Sequence, residues 1–339
     1  MTDLKFPESG LKTTQTTTPR RRLLGAALAA AASLALPGLS RAQTAPSSRP
    51  LRLGFIGPGK KPASATGWAL QQGQLQRELA PIGFGEVVTR VFPNGPDLNE
   101  AFVSGNLDVG IYGDTPAVVA RAQGFEGRLL GFDNVGMNVW LLTPRGGVKT
   151  VRELEGKTIG VALGSYMHRY VLGLLKEAGL LKTVKVVHML PRDGEPALER
   201  GAVAAFAAPI NTGPLLASRG YPVIDEAEKH PTLRGTSVII AAPQLLAGAP
   251  GLTAAWGRAR TTALRDIRRD SAAYYAFHAE ASGFPVEAVK ASYPLSQFPD
   301  SAYPAEGLKL IEEVKRFLLA ENLIRRDFAL AQWTVAGAD

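Results

Sequence analysis

After residue 50 the chain alternates between short apolar runs and longer amphipathic stretches. Leu51-Arg52-Leu53-Gly54-Phe55-Ile56 alternates and stops at Gly57-Pro58-Gly59, which predicts a first strand and its loop. Residues 68–79 carry a helical spacing with Gly73 as a soft spot, and 86–92 predict a second strand that turns at Pro93-Asn94-Gly95-Pro96. Asp97 stands where it can cap a helix through Leu98, Ala101 and Phe102. Residues 107–111 predict a third strand, after which Asp114 or Thr115 caps a helix beginning at Pro116. The pattern resets near Pro144. A short helix over 150–154, a strand over 158–162 and a long helix from Gly164-Ser165 to about residue 178 follow. Further strands are read at 184–189, 203–207, 221–224 and 237–241, with a helix starting at 196–200 between them. From about residue 252 the reading is mostly helical, over 253–270, 285–291 and 305–321. Alternating strand and helix in two blocks predicts an α/β protein of two lobes with a cleft between them.

The first 42 residues have a different composition. Arg20-Arg21-Arg22 precedes an uncharged apolar run over 23–36, then Pro37-Gly38 and Ser40-Arg41-Ala42. That order predicts a cleaved export signal over 1–42 and a periplasmic product. The run is too short to span a bilayer. Arg20-Arg21-Arg22-Leu23-Leu24 resembles a twin-arginine signal, with Gly25 in place of the usual lysine. Residues 43–50 read as a short polar leader.

This division changes the meaning of the charge. Of the 339 residues, 38 are Lys or Arg and 30 are Asp or Glu, a formal net charge of +8. Half of that excess lies in the tail, where Lys5, Lys12, Arg20, Arg21, Arg22 and Arg41 face only Asp3 and Glu8. What remains is an ordinary surface balance, which excludes a nucleic-acid footprint. The chain contains no cysteine and 4 histidines. Disulfide scaffolds, thiolate metal modules and a lipid-anchored cysteine are thereby excluded, and no cofactor is expected.

Several segments carry candidate chemistry. Gly54-Phe55-Ile56-Gly57-Pro58-Gly59-Lys60-Lys61 nearly fits a phosphate loop, but Lys61 occupies the position that needs a hydroxyl, and Pro58 removes a backbone donor. The loop reads as a turn or as a ligand contact at a strand end. Gly113-Asp114-Thr115-Pro116 and Gly164-Ser165-Tyr166-Met167-His168 each place a polar strand end before a helix, where free amides can receive an oxyanion or be capped locally. Ser165 lacks the glycine pattern of a nucleophile elbow. His188, His230 and His278 have no metal-like spacing. No catalytic constellation emerges, and the chain reads as a non-enzyme.

Three stretches together resemble the substrate-binding proteins of ABC importers for sulfonates, taurine and nitrate, and the related thiamine-precursor binders. They are Ser104-Gly105-Asn106-Leu107-Asp108 with Gly113-Asp114-Thr115-Pro116, the segment 148–179, and Phe206-Ala207-Ala208-Pro209. The resemblance implies a two-lobe periplasmic binding protein-like fold of type II. Residues 51–143 and 245–339 would form lobe 1, and 144–244 lobe 2. It implies that Gly57, Lys60, Lys61, Asp114 and Thr115 contact ligand from lobe 1. Gly164, Ser165, Tyr166 and His168 would do so from lobe 2, with Phe206 to Pro209 as the far wall. The ligand is expected to be a small organic anion. The expected partners are an ABC permease and its ATPase, met transiently at the inner membrane by a monomer. Binding or synthesis of a thiamine precursor or other heterocycle, and ligand sensing, are alternative roles. Three departures stand out: Ala202-Val203-Ala204 stands where relatives often carry an aspartate, Phe206 replaces a common tryptophan, and Asn211-Thr212-Gly213 replaces a more helical stretch.

Overall fold

The computed structural model describes residues 48–337. The export segment 1–42 and leader residues 43–47 lie outside the described residues. The leader's last two residues already belong to β1 (Arg49–Ile56).

The remaining strands are β2 (Phe84–Phe92), β3 (Val109–Gly113), β4 (Arg128–Met137), β5 (Trp140–Leu142), β6 (Thr158–Val161), β7 (Lys185–His188), β8 (Ala205–Ala208), β9 (Val223–Glu226) and β10 (Gly235–Ala241). The helices before the second sheet are α1 (Ala65–Gln71), α2 (Gln74–Leu79), α3 (Gly95–Val103) and α4 (Asp114–Ala122). Those that flank it are α5 (Tyr166–Glu177), α6 (Pro191–Glu199) and α7 (Thr212–Ser218). The remainder are α8 (Pro243–Gly248), α9 (Leu252–Arg269), α10 (Ser271–Ser282), α11 (Val286–Ser292), α12 (Ala305–Ala320) and α13 (Leu330–Trp333).

Two five-stranded mixed sheets result, ordered β2-β1-β3-β10-β4 and β7-β6-β8-β5-β9. In the first sheet β1 is parallel to β2 and β3, whereas β10 runs antiparallel between β3 and β4. In the second sheet β6 is parallel to β7 and β8, and β5 runs antiparallel between β8 and β9. The central strands of both sheets are covered on both faces. The first belongs to one large core that includes Leu53, Ile111, Phe132, Val238 and Ile267. The second separates two smaller cores: Ala205 and Ala207 lie in one, Phe206 and Ala208 in the other.

The pairing divides the lobes differently from the expected boundaries at 144 and 244. Trp140–Leu142 pairs in the second sheet and Gly235–Ala241 in the first. The chain therefore crosses at Asn138-Val139 and returns between β9 and β10. One amide ties both crossings: Asn138 Oδ1 accepts from Val139 N (2.9 Å) and Glu228 N (2.9 Å), while Nδ2 donates to Glu226 Oε2 (2.9 Å). Pro144, which marks a composition change, falls one strand too late to mark the crossing.

Local chemistry accounts for other differences. The expected single helix over 68–79 divides at Gly73, which adopts φ 65° and lets α2 start on a new axis. Asn94, rather than Asp97, caps α3, its side chain accepting from Asp97 N at 2.9 Å. Helix α4 begins at Asp114, with Gly113 as its cap, not at Pro116.

Candidate functional site

The two lobes face each other across a cavity of about 660 Å³. Helices α1, α3, α4, α5, α6 and α7 all begin at its wall. Ser64, Gly95, Gly113, Ser165, Pro191 and Thr212 mark those starts among the lining residues. The geometry follows from connectivity: in each sheet, strands deliver the chain to one edge and the next helix departs from there. Aligned peptide dipoles and unpaired first-turn amides make such ends hospitable to negative charge. The first turns of α1, α5 and α7 also lack acidic side chains. Between the helix starts the wall is mostly apolar, formed by Phe55, Phe92, Met137, Leu190, Leu215 and Phe284 among others.

The expected site residues separate into two groups. Gly57, Lys61, Ser165, Tyr166 and Pro209 line the cavity. Lys61 is an exposed rim residue whose ammonium donates to Gln71 Oε1 (2.6 Å). The Ser165 hydroxyl is committed to its helix: it accepts from His168 N (3.2 Å) and donates to Ala162 O (2.6 Å). The Tyr166 hydroxyl is buried and has no well-formed hydrogen-bond partner among the described residues, the backbone of Ile210 being the polar group that acts on it.

Lys60, Asp114, Thr115, Gly164, His168 and Phe206 do not line the cavity. Lys60 is exposed, and its carbonyl accepts from Thr89 Oγ1 (3.1 Å). Asp114 is fully buried, with Oδ2 accepting from Thr236 N (2.7 Å) and Thr236 Oγ1 (3.1 Å) and lying 3.8 Å from the Arg169 guanidinium. Thr115 Oγ1 donates to Asp114 Oδ1 (2.8 Å). The pair is thus structural, joining α4 to β10 and, through Arg169, to the second lobe. Arg169 is also buried and donates to Thr232 O (2.9 Å) and Arg234 O (2.7 Å). Gly164 has φ 75° and donates its amide to His168 Nδ1 (3.3 Å). That turn-closing bond occupies the ring, and burial pulls the His168 pKa down. Phe206 is 1% exposed and points away from the cleft to pack beneath α6, where a Cβ on Gly194 would come 2.3 Å from its ring.

The cavity also contains polar groups that the sequence reading missed. Asp133 and Asn134 line it side by side. They do so because β4 bulges: Val238 faces Phe132 and Ser237 faces Asn134, so Asp133 is the extra residue. Burial raises the Asp133 carboxyl to about 6, against the opposing effect of the Ser64 and Thr66 hydroxyls. Thr66 Oγ1 donates to Asp133 Oδ1 at 3.2 Å. Neither Asn134 Oδ1 nor Nδ2 has a partner among the described residues, although Asn134 is 1% exposed. Asn211 lines the lobe junction with φ 64°, an unpartnered Oδ1 and a backbone amide that donates to Ser292 Oγ (2.6 Å) across the junction. Tyr112 and Tyr293 add buried phenols whose pKa burial pushes upward. A bulge leaves no sequence signature. For Asn211 the only signal is that asparagine tolerates the left-handed region better than most residues.

Two mixed sheets, two chain crossings and a cavity at the convergent helix starts define a type II periplasmic binding-protein fold. A family model described as NMT1/THI5 like matches residues 87–270, and the chain belongs to that family. A putative aliphatic sulfonates-binding protein of Escherichia coli K12 is 33% identical over 119 residues, which are 34% of this chain and 37% of that relative. The match thus spans little more than a third of the relative's length. Among solved structures, the alkanesulfonate-binding protein SsuA of Xanthomonas axonopodis pv. citri, bound to MOPS, aligns with TM-score 0.69 at 22% identity. That alignment covers 84% of this chain and 98% of SsuA. A cysteine-to-serine mutant of DSZB in complex with biphenyl-2-sulfinic acid aligns with TM-score 0.68 at 19% identity, over 85% of this chain and 97% of DSZB. At these identities the structural matches establish the shared fold.

Proposed function

We propose that this chain is the solute-binding component of an ABC importer and captures a small organic anion of the sulfonate type between its lobes. The observation that carries the reading is the convergence of helix starts from both lobes on one largely apolar cavity. First-turn amides meet the anionic head without a buried cation, and the apolar wall covers the organic body. Sulfonate binding by named relatives supports this choice of head group. Capture is non-covalent. The Ser165 hydroxyl is occupied by its cap and His168 by a backbone amide, so neither forms a nucleophile–base pair. The energy for transport comes from a partner ATPase working with a membrane permease.

A periplasmic location and a cleaved signal peptide are consistent with the family. Residues 1–42 carry the address, and Arg20-Arg21-Arg22-Leu23-Leu24 directs it to the twin-arginine route. Isothermal titration of residues 43–339 with a panel of alkyl and aryl sulfonates, nitrate and taurine tests the function. Saturable 1:1 binding of at least one sulfonate is expected. Heat of dilution alone across the panel refutes the anion reading.

A further inference from the structure

Strand β2 is an edge of the first sheet: β1 pairs with it on one side, and among the described residues no strand pairs on the other. The direction of its backbone groups follows from β1. Arg52 turns both of its own away from β2, its N–H donating to Asp108 Oδ2 (2.8 Å) and its carbonyl accepting from Asp108 N (2.9 Å). Val88, opposite Arg52, therefore supplies the ladder bonds to β1, and Val87, Thr89 and Val91 aim their N–H and C=O groups outward. None of these groups has another backbone partner among the described residues. Sheet edges are blunted by bulges, prolines, charges or covering elements. Past Gly85, whose carbonyl accepts from Gln76 Nε2 (2.5 Å), the guards on this one are the exposed side chains of Glu86 and Arg90.

Those two charges fit one strand, a reversed copy of β2 itself. We infer that β2 is a dimerisation edge whose partner is a second copy of this chain, running antiparallel about a two-fold axis at Val88 and making the two five-stranded sheets continuous. In that register Glu86 of each copy stands opposite Arg90 of the other, and Val88, 44% exposed, meets its own counterpart. These are non-hydrogen-bonded positions, where facing side chains come closest. Val87 and Thr89 then face Thr89 and Val87 of the second copy with outward backbone groups on both sides, so each pair exchanges both of its hydrogen bonds. Other registers lose the match. A two-fold at Val87 or Thr89 sets Glu86 against Val88 or Phe92, and one at Glu86 or Arg90 sets like charges opposite. Within one copy Arg90 stands over the Phe92 ring (4.9 Å), and neither it nor Glu86 joins an ion pair among the described residues. A pairing confined to one strand buries little area, so the dimer is weak and concentration-dependent. It replaces the monomer expected from the sequence.

Sedimentation of residues 43–339 from about 5 to 500 µM tests this. The mean mass of the wild type is expected to rise toward twice that of the monomer, and less steeply as NaCl increases from about 0.05 to 0.5 M. Glu86→Arg and Arg90→Glu each place like charges at both pairs and should weaken self-association about tenfold or more. An equimolar mixture of the two single variants restores both opposite-charge pairs and should recover the wild-type mass, as should the double variant Glu86→Arg/Arg90→Glu alone. Both positions are exposed, and unchanged circular dichroism shows that the variants fold. A monomer across the whole range, dimers that survive both single reversals, or a mixture that stays monomeric overturns the inference. None of these outcomes bears on the anion reading of the cleft.

Discussion

Replacing Asp114 by alanine separates a structural role from a ligand contact. The carboxylate accepts from Thr236 N (2.7 Å), Thr236 Oγ1 (3.1 Å) and Thr115 Oγ1 (2.8 Å), and it stands 3.8 Å from Arg169. Alanine leaves the Thr236 amide buried and unpaired, a cost of about 1–3 kcal/mol. It also leaves Arg169, with 1% side-chain exposure, without its nearer counter-charge, Glu313 being the other acidic group that acts on it. Breaking a buried pair from one side costs about 3–5 kcal/mol. The two figures share one desolvation penalty, so the expected total is about 3–5 kcal/mol rather than their sum. At roughly 2–4 °C per kcal/mol for a chain of this size, Tm falls by about 10 °C. Urea unfolding of ligand-free protein, with the m-value checked for constancy, measures the loss. Isothermal titration of the folded fraction measures binding. A loss below about 1 kcal/mol refutes the structural argument, and a tenfold loss of affinity at unchanged stability returns Asp114 to the ligand.

Three further outcomes are expected. His278 is buried with both ring nitrogens unpartnered among the described residues, and burial pulls it down to about 3. Its unfolded value is near 6.5, so the stability it confers by staying neutral is full above that pH and declines as pH falls toward 3. His278→Phe should therefore gain on the wild type by about 1.4 kcal/mol per pH unit between pH 6 and 4 in chemical denaturation; a constant difference contradicts it. Tyr166→Phe removes a buried hydroxyl with no well-formed partner among the described residues, so Tm should hold or rise while sulfonate affinity falls fivefold or more by calorimetry; a lower Tm with unchanged affinity contradicts this role. Gly194→Ala drives a methyl into the Phe206 ring and should cost about 1–3 kcal/mol in thermal unfolding, with binding of the folded fraction within threefold of wild type; a stability-neutral loss of binding would put Phe206 back on the cleft wall.

The alternation of strand and helix through β1, β2 and β3, and the strand–Gly-Ser–helix unit of β6 and α5, were legible because each strand ends at glycine or proline and each helix keeps its period. The stretch from β4 to β5 was not legible. RLLGFDNVGM is buried along nearly its whole length, so it shows no alternation, and its bulges break the period further. Two strands of different sheets then follow each other with only Asn138-Val139 between them, and no residue marks that change of lobe. The same cause limited the site. Ser165 and Tyr166 could be placed from their helix start. Asp133 could not, because the residue that faces the cleft depends on a bulge. Phe206 was misassigned because β8 is covered on both faces, and a buried apolar strand does not reveal which face is the ligand's.

The position of β10 has a consequence for folding order. It lies between β3 and β4, where Val238 pairs with Tyr112 on one side and Phe132 on the other. A ribosome must therefore synthesise the entire second lobe before the first sheet can receive its fourth strand. The second lobe is contiguous, whereas the first sheet must close a loop of about a hundred residues around it. Nascent chains thus pass through an interval in which one lobe is complete while β3 and β4 present unpaired edges, the state most open to aggregation and to holding by chaperones. A route that exports only finished protein would keep that interval on the cytoplasmic side of the membrane.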